Sequence, residues 1–339
     1  MVDYRDPPSN DAPPAAGDDE PGEAVETREA AVGAAEHGQR LDKVLVRLAP
    51  EFSRTYLQSL VARGHVRLDG LPAGVTARRL RAGQRLAVDL VPTDESLAFR
   101  PQAMDLRVLY EDEQLLVLDK PCGLVVHPAP GNWSGTLLNG LLARNPGAAL
   151  LPRAGIVHRL DKDTSGVMVV GKTLPAVTAL ARAIAERRVQ RRYLAIAHGE
   201  VAAAEQRIEA PIGRDPVSRV RMAVVAGGKP ARTDVRRVAV RDGFSALECA
   251  LHTGRTHQIR VHLAEHGHPL LADATYGGTR REARLDPSDP VKRAAEAIGR
   301  QALHAWRLAF PHPRTRQRVA FEAPLPADMR AALAILRAP

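Results

Sequence analysis

Short apolar runs typical of β-strands limit most strongly what this chain can fold into. They lie at residues 115–118, 167–170, 193–197, 235–240 and 246–251. Helical periodicity is rarer, and it marks residues 137–143, 176–187 and 257–266. Because the strands outnumber the helices and do not alternate regularly with them, the pattern predicts an α+β fold around a largely antiparallel sheet. It argues against a doubly wound parallel sheet.

A small α/β module is predicted ahead of this region, over residues 38–95. Its first helix follows from four apolar residues at helical spacing, namely Leu41, Val44, Leu45 and Leu48. Ser53 is expected to cap a second helix, because its hydroxyl can accept a hydrogen bond from the first helical turn. Strands are predicted at residues 65–68 and 85–90, so the module combines two short helices with a small hairpin.

Composition indicates where these regions begin and end. Residues 1–36 contain ten acidic and two basic side chains and almost nothing large and apolar. Such a segment cannot bury enough surface to offset its ordering entropy, so we predict a disordered acidic tail over residues 1–37. A linker is predicted at residues 92–105, and it leads into the larger domain, which we place at residues 96–339.

The overall charge favours an anionic partner. The chain of 339 residues carries a net charge of +9, and nucleic acid is the commonest partner of a protein this basic. No apolar run approaches the roughly 18 residues of a membrane span, and the acidic N-terminus is unlike a signal peptide. Cys122 and Cys249 are too far apart for a CxxC motif, so no disulfide framework is expected. These features predict a cytoplasmic protein that does not bind a membrane.

The segment GIVHRLDKDTSGVMVVGKT, residues 155–173, is the strongest candidate for a functional site. It places a short charged loop between apolar strand segments, and such loops commonly carry catalytic side chains. Asp161 and Asp163 could form a glycosidase-like pair of carboxylates, because residues two apart on an extended chain face the same side. They could also bind a metal ion or belong to a polar turn. The residues alone leave these interpretations open.

This segment resembles the HRLD signature of the RluA-type pseudouridine synthases. Further segments resemble the same family in the same order, namely GLVVHPAPGNWSGTLLNGLL, RRYLAIAHG, LHTGRTHQIRVHLAEHGHPLLADATYGG and RQALHAWRLAFPHP. Within that family, residues 221–238 and the motif ADATYGG are most similar to the branch of ribosomal large-subunit pseudouridine synthase D. Near the N-terminus, RLDKVLVRLAPEFSRTYLQSLVARGHVRLDG resembles the S4 RNA-binding domain.

The resemblance implies isomerisation of uridine to pseudouridine in RNA and a role for each matching residue. Asp161 stands where the family has its catalytic aspartate, and Arg260 where it has the arginine that pairs with this aspartate. Tyr193 matches the tyrosine that packs on the flipped-out base. Arg159 matches the arginine that fills the space which the base leaves. The resemblance implies no metal and no cofactor.

The S4-like module implies further contacts to RNA. The basic residues expected to make them are Arg40, Lys43, Arg47, Arg54 and Arg63. The implied substrate is 23S ribosomal RNA, at uridines in the loop of helix 69, and a monomer is expected. Another 23S site is one alternative. A ribosome assembly factor that binds RNA without catalysis and an N-glycosidase that releases the base are two others.

Overall fold

A computed structural model describes residues 25–92, 94–218, 220–241 and 243–337. The chain divides into two units, Met1–Thr93 and Asp94–Pro339. This division falls close to the domain boundary expected near residue 95. Each unit has its own hydrophobic core, and each is described by itself.

The first unit is a four-stranded sheet with two helices. Its described strands and α-helices are β1 (Glu26–Ala31), α1 (Leu41–Leu48), α2 (Arg54–Ala62), β2 (Val66–Leu68), β3 (Leu71–Pro72) and β4 (Arg85–Leu90). The strands are antiparallel in the order β1-β4-β2-β3. The predicted cap of α2 is confirmed, because Ser53 Oγ accepts a hydrogen bond from the Tyr56 N–H at 3.2 Å. Leu41 and Leu45 of α1 pack with Leu57 of α2 in the core.

Strand β1 corrects the prediction of a disordered tail over residues 1–37. It pairs with β4 from Glu26 opposite Leu90 to Ala31 opposite Arg85. No residue of β1 is fully buried, and an edge strand of this kind tolerates the acidic composition that suggested disorder. The S4-like unit therefore begins about a dozen residues before its predicted start. Residues 1–24, the rest of the predicted tail, lie outside the described residues.

The second unit contains the larger sheet. Its strands are β5 (Val108–Glu111), β6 (Leu115–Lys120), β7 (Ser165–Gly171), β8 (Gln190–His198), β9 (Glu205–Glu209), β10 (Ile212–Arg214), β11 (Met222–Val224), β12 (Arg232–Arg241), β13 (Phe244–Leu251), β14 (Leu303–Pro311) and β15 (Arg318–Glu322). Its helices are α3 (Leu137–Arg144), α4 (Leu174–Ala185), α5 (Gln258–Glu265), α6 (Gly278–Glu282), α7 (Pro290–Ile298) and α8 (Ala327–Arg337).

Within the described residues, nine of these strands form one sheet in the order β5-β6-β7-β14-β8-β13-β12-β9, with β15 beside β14. Neighbouring strands are antiparallel except β7 and β14, where His304 and Ala305 lie opposite Ser165 and Gly166. The predicted α+β, largely antiparallel fold is confirmed. A Cβ atom at Gly166 would lie 2.1 Å from the Ala305 carbonyl oxygen, so only glycine lets β14 approach β7 directly after the charged loop.

The linker predicted at residues 92–105 is also corrected. Residues Asp94–Phe99 form a short 3-10 helix that belongs to the second unit. The Asn139 side-chain amide donates hydrogen bonds to the carbonyl oxygens of Leu97, Ala98 and Arg100, at 3.1, 3.3 and 2.8 Å. These bonds tie the segment to α3, so it is part of the larger domain's structure rather than a free connection.

The helices are short. Helix α4, with 12 residues, is the longest in the described ranges, and none there has the length and apolar character needed to cross a membrane. Cys122 is exposed and Cys249 is buried, and both are free thiols.

Candidate active site

An open cleft of about 800 Å³ lies in the second unit. Its walls include the loop before β7, the start of β8 and the segment that leads from β13 into α5. Asp161, Arg159, Tyr193 and Arg260 all line this cleft. The residues that the family resemblance singled out in this unit are therefore neighbours in space, and the cleft is large enough for a small organic ligand.

A buried lysine anchors the loop that carries Asp161. Lys120, at the end of β6, is 1% exposed. Its Nζ donates hydrogen bonds of 2.7, 2.9 and 2.9 Å to the carbonyl oxygens of Pro121, Leu124 and Lys162. Burial lowers the pKa of Lys120 to about 8. Because Lys162 directly follows Asp161, this amine holds the backbone next to the carboxylate.

The histidine of the HRLD motif anchors the same loop from the other side. Its Nε2 accepts a hydrogen bond from the Val169 N–H of β7 at 3.1 Å. Burial and the nearby Arg191 guanidinium lower the pKa of His158 to about 3. His158 is therefore neutral at physiological pH, and it stabilises the loop on the sheet.

Arg260 of α5 lies between two carboxylates. Its Nη1 is 3.3 Å from Asp161 Oδ2. Its Nε and Nη2 donate to the two oxygens of buried Asp273, at 2.8 and 2.9 Å. Burial opposes the charge of Arg260, but Asp273 and Asp161 outweigh it and raise its pKa. In the described part of the chain, the hydrogen bond to the Asp161 carboxylate is made to Oδ2 and none is made to Oδ1.

Tyr193 presents a neutral ring to the cleft. It lies in β8 between Cys249 of β13 and Ala305 of β14, and it is 6% exposed. Burial raises the pKa of Tyr193 to about 12, so its phenol stays protonated at neutral pH. Arg159 is exposed on the cleft wall, two residues before Asp161. The site thus combines a planar ring, an exposed cation and a fixed carboxylate.

The cleft is strongly cationic. Asp161 is its only carboxylate among the described lining residues, against six arginines, namely Arg153, Arg159, Arg187, Arg191, Arg255 and Arg260. The buried Nε of Arg191 has no hydrogen-bond partner in the described ranges. A Cβ atom at Gly254 would lie 2.7 Å from Arg191 Nη1, so this glycine makes room for the guanidinium.

The geometry argues against the interpretation of Asp161 and Asp163 as a pair of carboxylates on one extended chain. The two residues lie in a turn closed by a 3.1 Å hydrogen bond from the Thr164 N–H to the Asp161 carbonyl, not on an extended chain. Asp163 does not line the cleft. Across the described residues, no three His, Cys, Asp or Glu side chains are grouped as a metal site would require. Of these two carboxylates, only Asp161 lines the cleft.

The five basic residues of the first unit that were predicted to contact RNA differ in their surroundings. Lys43 and Arg63 are exposed, and Arg47 lies 3.4 Å from Glu36. Arg40 and Arg54 both contact Asp42, which is fully buried, at 3.0 and 2.7 Å. The Arg40 hydrogen bonds hold the pKa of Asp42 well below its usual value. Arg40 and Arg54 thus also have a structural task, because a buried carboxylate needs cationic partners.

Comparisons with known proteins match these two units. A family model described as RNA pseudouridylate synthase matches residues 114–265, and a model of the S4 domain matches residues 39–86. Ribosomal large subunit pseudouridine synthase D of Neisseria meningitidis serogroup B is 50% identical over 302 residues, which cover 88% of this chain and 79% of that protein. This chain belongs to the RNA pseudouridylate synthase family.

Further relatives and solved structures of the same family are similar to the synthase. The protein of the same name from Xanthomonas campestris pv. campestris is 45% identical over 313 residues, which cover 91% of the synthase and 92% of the relative. The solved structure of Human RNA Pseudouridylate Synthase Domain Containing 1 is 28% identical, with a TM-score of 0.51, and covers 67% of the synthase and 87% of that chain. The solved structure of Human RNA Pseudouridylate Synthase Domain Containing 4 is 24% identical, with a TM-score of 0.52. The match covers 68% of the synthase and 93% of that chain, and the two share the fold.

The structure of the synthase adds site residues that sequence reasoning missed. Asp273 and Tyr276 belong to the motif ADATYGG, which served only as a sign of resemblance. Asp273 binds Arg260, and the Tyr276 hydroxyl lies 2.8 Å from His257 Nδ1. Lys120 was missed because a lysine ending an apolar strand is ordinarily solvated. The position of Asp273 within an apolar stretch was the one sequence feature that could have indicated a buried, paired carboxylate.

Proposed function

We propose that this synthase converts uridine to pseudouridine in 23S ribosomal RNA, at uridines in the loop of helix 69. The observation that carries the proposal is the Asp161 carboxylate, paired with Arg260 through Oδ2 at 3.3 Å in a cationic cleft beside Tyr193. The choice of ribosomal RNA is supported by the names of relatives, which are called ribosomal large subunit pseudouridine synthase D. The choice of helix 69 rests on the resemblance to that branch.

In the proposed reaction, Asp161 Oδ1 faces a flipped-out uridine while the Arg260 guanidinium holds Oδ2 in a fixed orientation. The bond from C1′ to N1 breaks with its electron pair left on N1, the uracil turns, and C5 forms a bond to C1′. C5 then loses its proton and N1 gains one, so the product is an isomer of the substrate. Tyr193 packs on the ring during the rotation, because a planar aromatic side chain holds a planar base. The cleft arginines neutralise phosphates of the RNA backbone.

The test is chemical mapping of pseudouridine across 23S ribosomal RNA from cells with and without the gene. We expect the helix 69 pseudouridines to vanish in its absence and to return with the unaltered synthase. Loss at a different 23S site would assign the enzyme to that site instead. Unchanged modification everywhere would overturn the ribosomal assignment. Free uracil released from RNA by the purified protein would indicate an N-glycosidase.

Arg159 is expected to assist base flipping. Arg159→Ala should lower the single-turnover rate about tenfold more on a stacked hairpin than on an unstructured linear oligonucleotide, because extruding a stacked base costs a few kcal/mol. The matched control is Arg153→Ala, which removes another exposed arginine of the same cleft. Equal losses on both substrates would mean that Arg159 contacts phosphate rather than filling the vacated space.

Substitutions of the basic residues of the S4 domain are expected to have different effects, depending on whether the residue is exposed or paired with a buried carboxylate. Lys43→Ala should lower the slope of log affinity against log salt by about one and leave the melting temperature unchanged, because it removes one phosphate contact. Arg54→Ala should lower the melting temperature as well, since buried Asp42 loses a partner. Filter binding at several salt concentrations and thermal unfolding measure the two effects. An unchanged salt slope in the Lys43 variant would remove it from the RNA interface.

A further inference from the structure

His257 lies beside the proposed catalytic carboxylate, and no role has yet been given to it. Its Nε2 is 4.0 Å from Asp161 Oδ2, and the residue caps the N-terminus of α5. Its φ is +56°, in the left-handed region that residues other than glycine adopt uncommonly. Such a conformation is kept where the surrounding structure enforces it, and it is frequent at functional sites.

The segment before His257 is held by one side chain. Gln258 Oε1 accepts hydrogen bonds from Thr253 Oγ1 at 2.7 Å and from the Arg255 N–H at 3.1 Å. Gln258 Nε2 donates to the Arg232 carbonyl oxygen at 2.9 Å. These bonds fix the backbone that turns from β13 into α5, so the His257 ring is presented in a defined orientation.

The hydrogen bonds around Tyr276 indicate which nitrogen of His257 carries the proton. The Met222 backbone N–H can only donate, so the Tyr276 hydroxyl oxygen accepts from it at 3.0 Å. The hydroxyl proton of Tyr276 needs an acceptor of its own, and His257 Nδ1 lies 2.8 Å away. When Nδ1 accepts this hydrogen bond it carries no proton itself, so the single proton of a neutral imidazole is on Nε2. That is the nitrogen nearer to Asp161.

The surroundings of Tyr276 and His257 keep both side chains neutral, as this arrangement of hydrogen bonds requires. Burial raises the pKa of Tyr276, so its phenol retains the proton that it donates. Burial lowers the pKa of His257; Asp161 and Asp273 oppose this shift and Arg260 supports it, and the ring is neutral near pH 7. The guanidinium groups of Arg221 and Arg260 lie 5.2 and 5.0 Å from the Tyr276 ring centre, and they hold the ring in place.

We propose that His257 is a positioning residue, whose Nε2–H is directed by Tyr276 to donate to Asp161 Oδ2. Such a hydrogen bond is often long before the substrate binds and shortens in the complex. Together with Arg260, it would occupy Oδ2 from two directions and present Oδ1 to the uridine. This inference rests on the role proposed above for Asp161.

The proton position is tested first, on the full-length protein labelled with ¹⁵N-histidine. Nuclear magnetic resonance distinguishes a ring nitrogen that carries a proton from one that does not, and the His257→Asn variant assigns the His257 signals. We expect the proton on Nε2 in the unaltered protein. We also expect Tyr276→Phe, which removes the hydroxyl, to change the His257 Nδ1 signal. A proton on Nδ1 in the unaltered protein would overturn the inference.

The functional consequence is tested by two matched variants. His257→Asn keeps an oxygen that can accept a hydrogen bond from the Tyr276 hydroxyl, and it removes the donor that reaches Asp161. His257→Gln restores an N–H near the place of Nε2. We expect His257→Asn to lower the single-turnover rate about tenfold or more with an unchanged Kd for RNA, since a hydrogen bond to a charged group is lost. His257→Gln should recover most of that rate.

The outcomes separate this inference from the proposed function. If the unaltered protein forms no pseudouridine, the proposed function fails, while the resonance experiment still decides the hydrogen-bond direction. If the unaltered protein is active and His257→Asn is equally active, the positioning role is wrong. A glutamine variant that folds as well as the asparagine variant but is no faster would also overturn it. If the asparagine variant fails to fold, the proton position and the glutamine variant decide.

Discussion

Asp161→Asn is expected to abolish pseudouridine formation while leaving RNA binding close to that of the unaltered synthase. The amide has the size of the carboxylate, and its oxygen can still accept a hydrogen bond from Arg260, so the cleft keeps its shape. An amide is neither a nucleophile nor a base at neutral pH, and we expect a rate loss of at least about 10³-fold. Single-turnover assays and equilibrium binding on the same RNA measure the two quantities.

The control for this substitution lies two residues away in the same turn. Asp163→Asn makes the same chemical change, but Asp163 does not line the cleft. We expect its rate to stay within a few-fold of that of the unaltered synthase. Comparable losses in both variants would restore the paired-carboxylate interpretation, and clear residual turnover in Asp161→Asn would remove Asp161 from the chemistry.

Arg260→Met is expected to have the largest effect on stability. The side chain of Arg260 is 7% exposed and that of its partner Asp273 is fully buried. Methionine fills much of the volume but leaves Asp273 without its cation. Breaking a buried ion pair from one side costs about 3–5 kcal/mol, so the free energy of unfolding should fall by that amount. Denaturant unfolding measures the loss, and we expect catalysis to disappear as well.

A double variant separates these two effects. Arg260→Met combined with Asp273→Asn removes the unpaired charge, and the asparagine oxygen can still accept from the Thr275 and Tyr276 N–H groups, which now donate to Asp273 Oδ1. We expect the double variant to regain most of the lost stability and none of the activity. Recovery of activity along with stability would show that Arg260 acts only through folding.

Much of the fold follows from local patterns in the sequence. The run of small and β-branched residues after the charged loop predicts β7, and the apolar spacing from Leu41 predicts α1. Ser53 caps α2 as its side-chain chemistry requires. These features depend on neighbours a few residues apart, which a sequence displays directly. The prediction of disorder was wrong at β1, because it used the average composition of residues 1–36. Six of these residues form a strand that pairs with β4, far along the sequence.

The candidate site was predictable only in part. Physical reasoning about the charged loop left three interpretations of Asp161, and only the family resemblance connected it with Arg260, which is 99 residues away. The contacts of Lys120, Asp273 and Tyr276 join residues that are separated in the sequence, so they depend on the tertiary fold. The hydrogen-bond direction at His257 depends on Met222 of a separate hairpin. No spacing rule reports such contacts.

Strand β1 decides where the RNA-binding unit can be shortened. A version of the chain that starts at residue 38, as the predicted tail would suggest, loses every partner of β4 on one side. The exposed row of N–H and C=O groups would then belong to a strand that carries buried Leu86, Val88 and Leu90. An open apolar edge of this kind recruits strands from other molecules and promotes aggregation during expression. Starting at residue 25 keeps that edge covered.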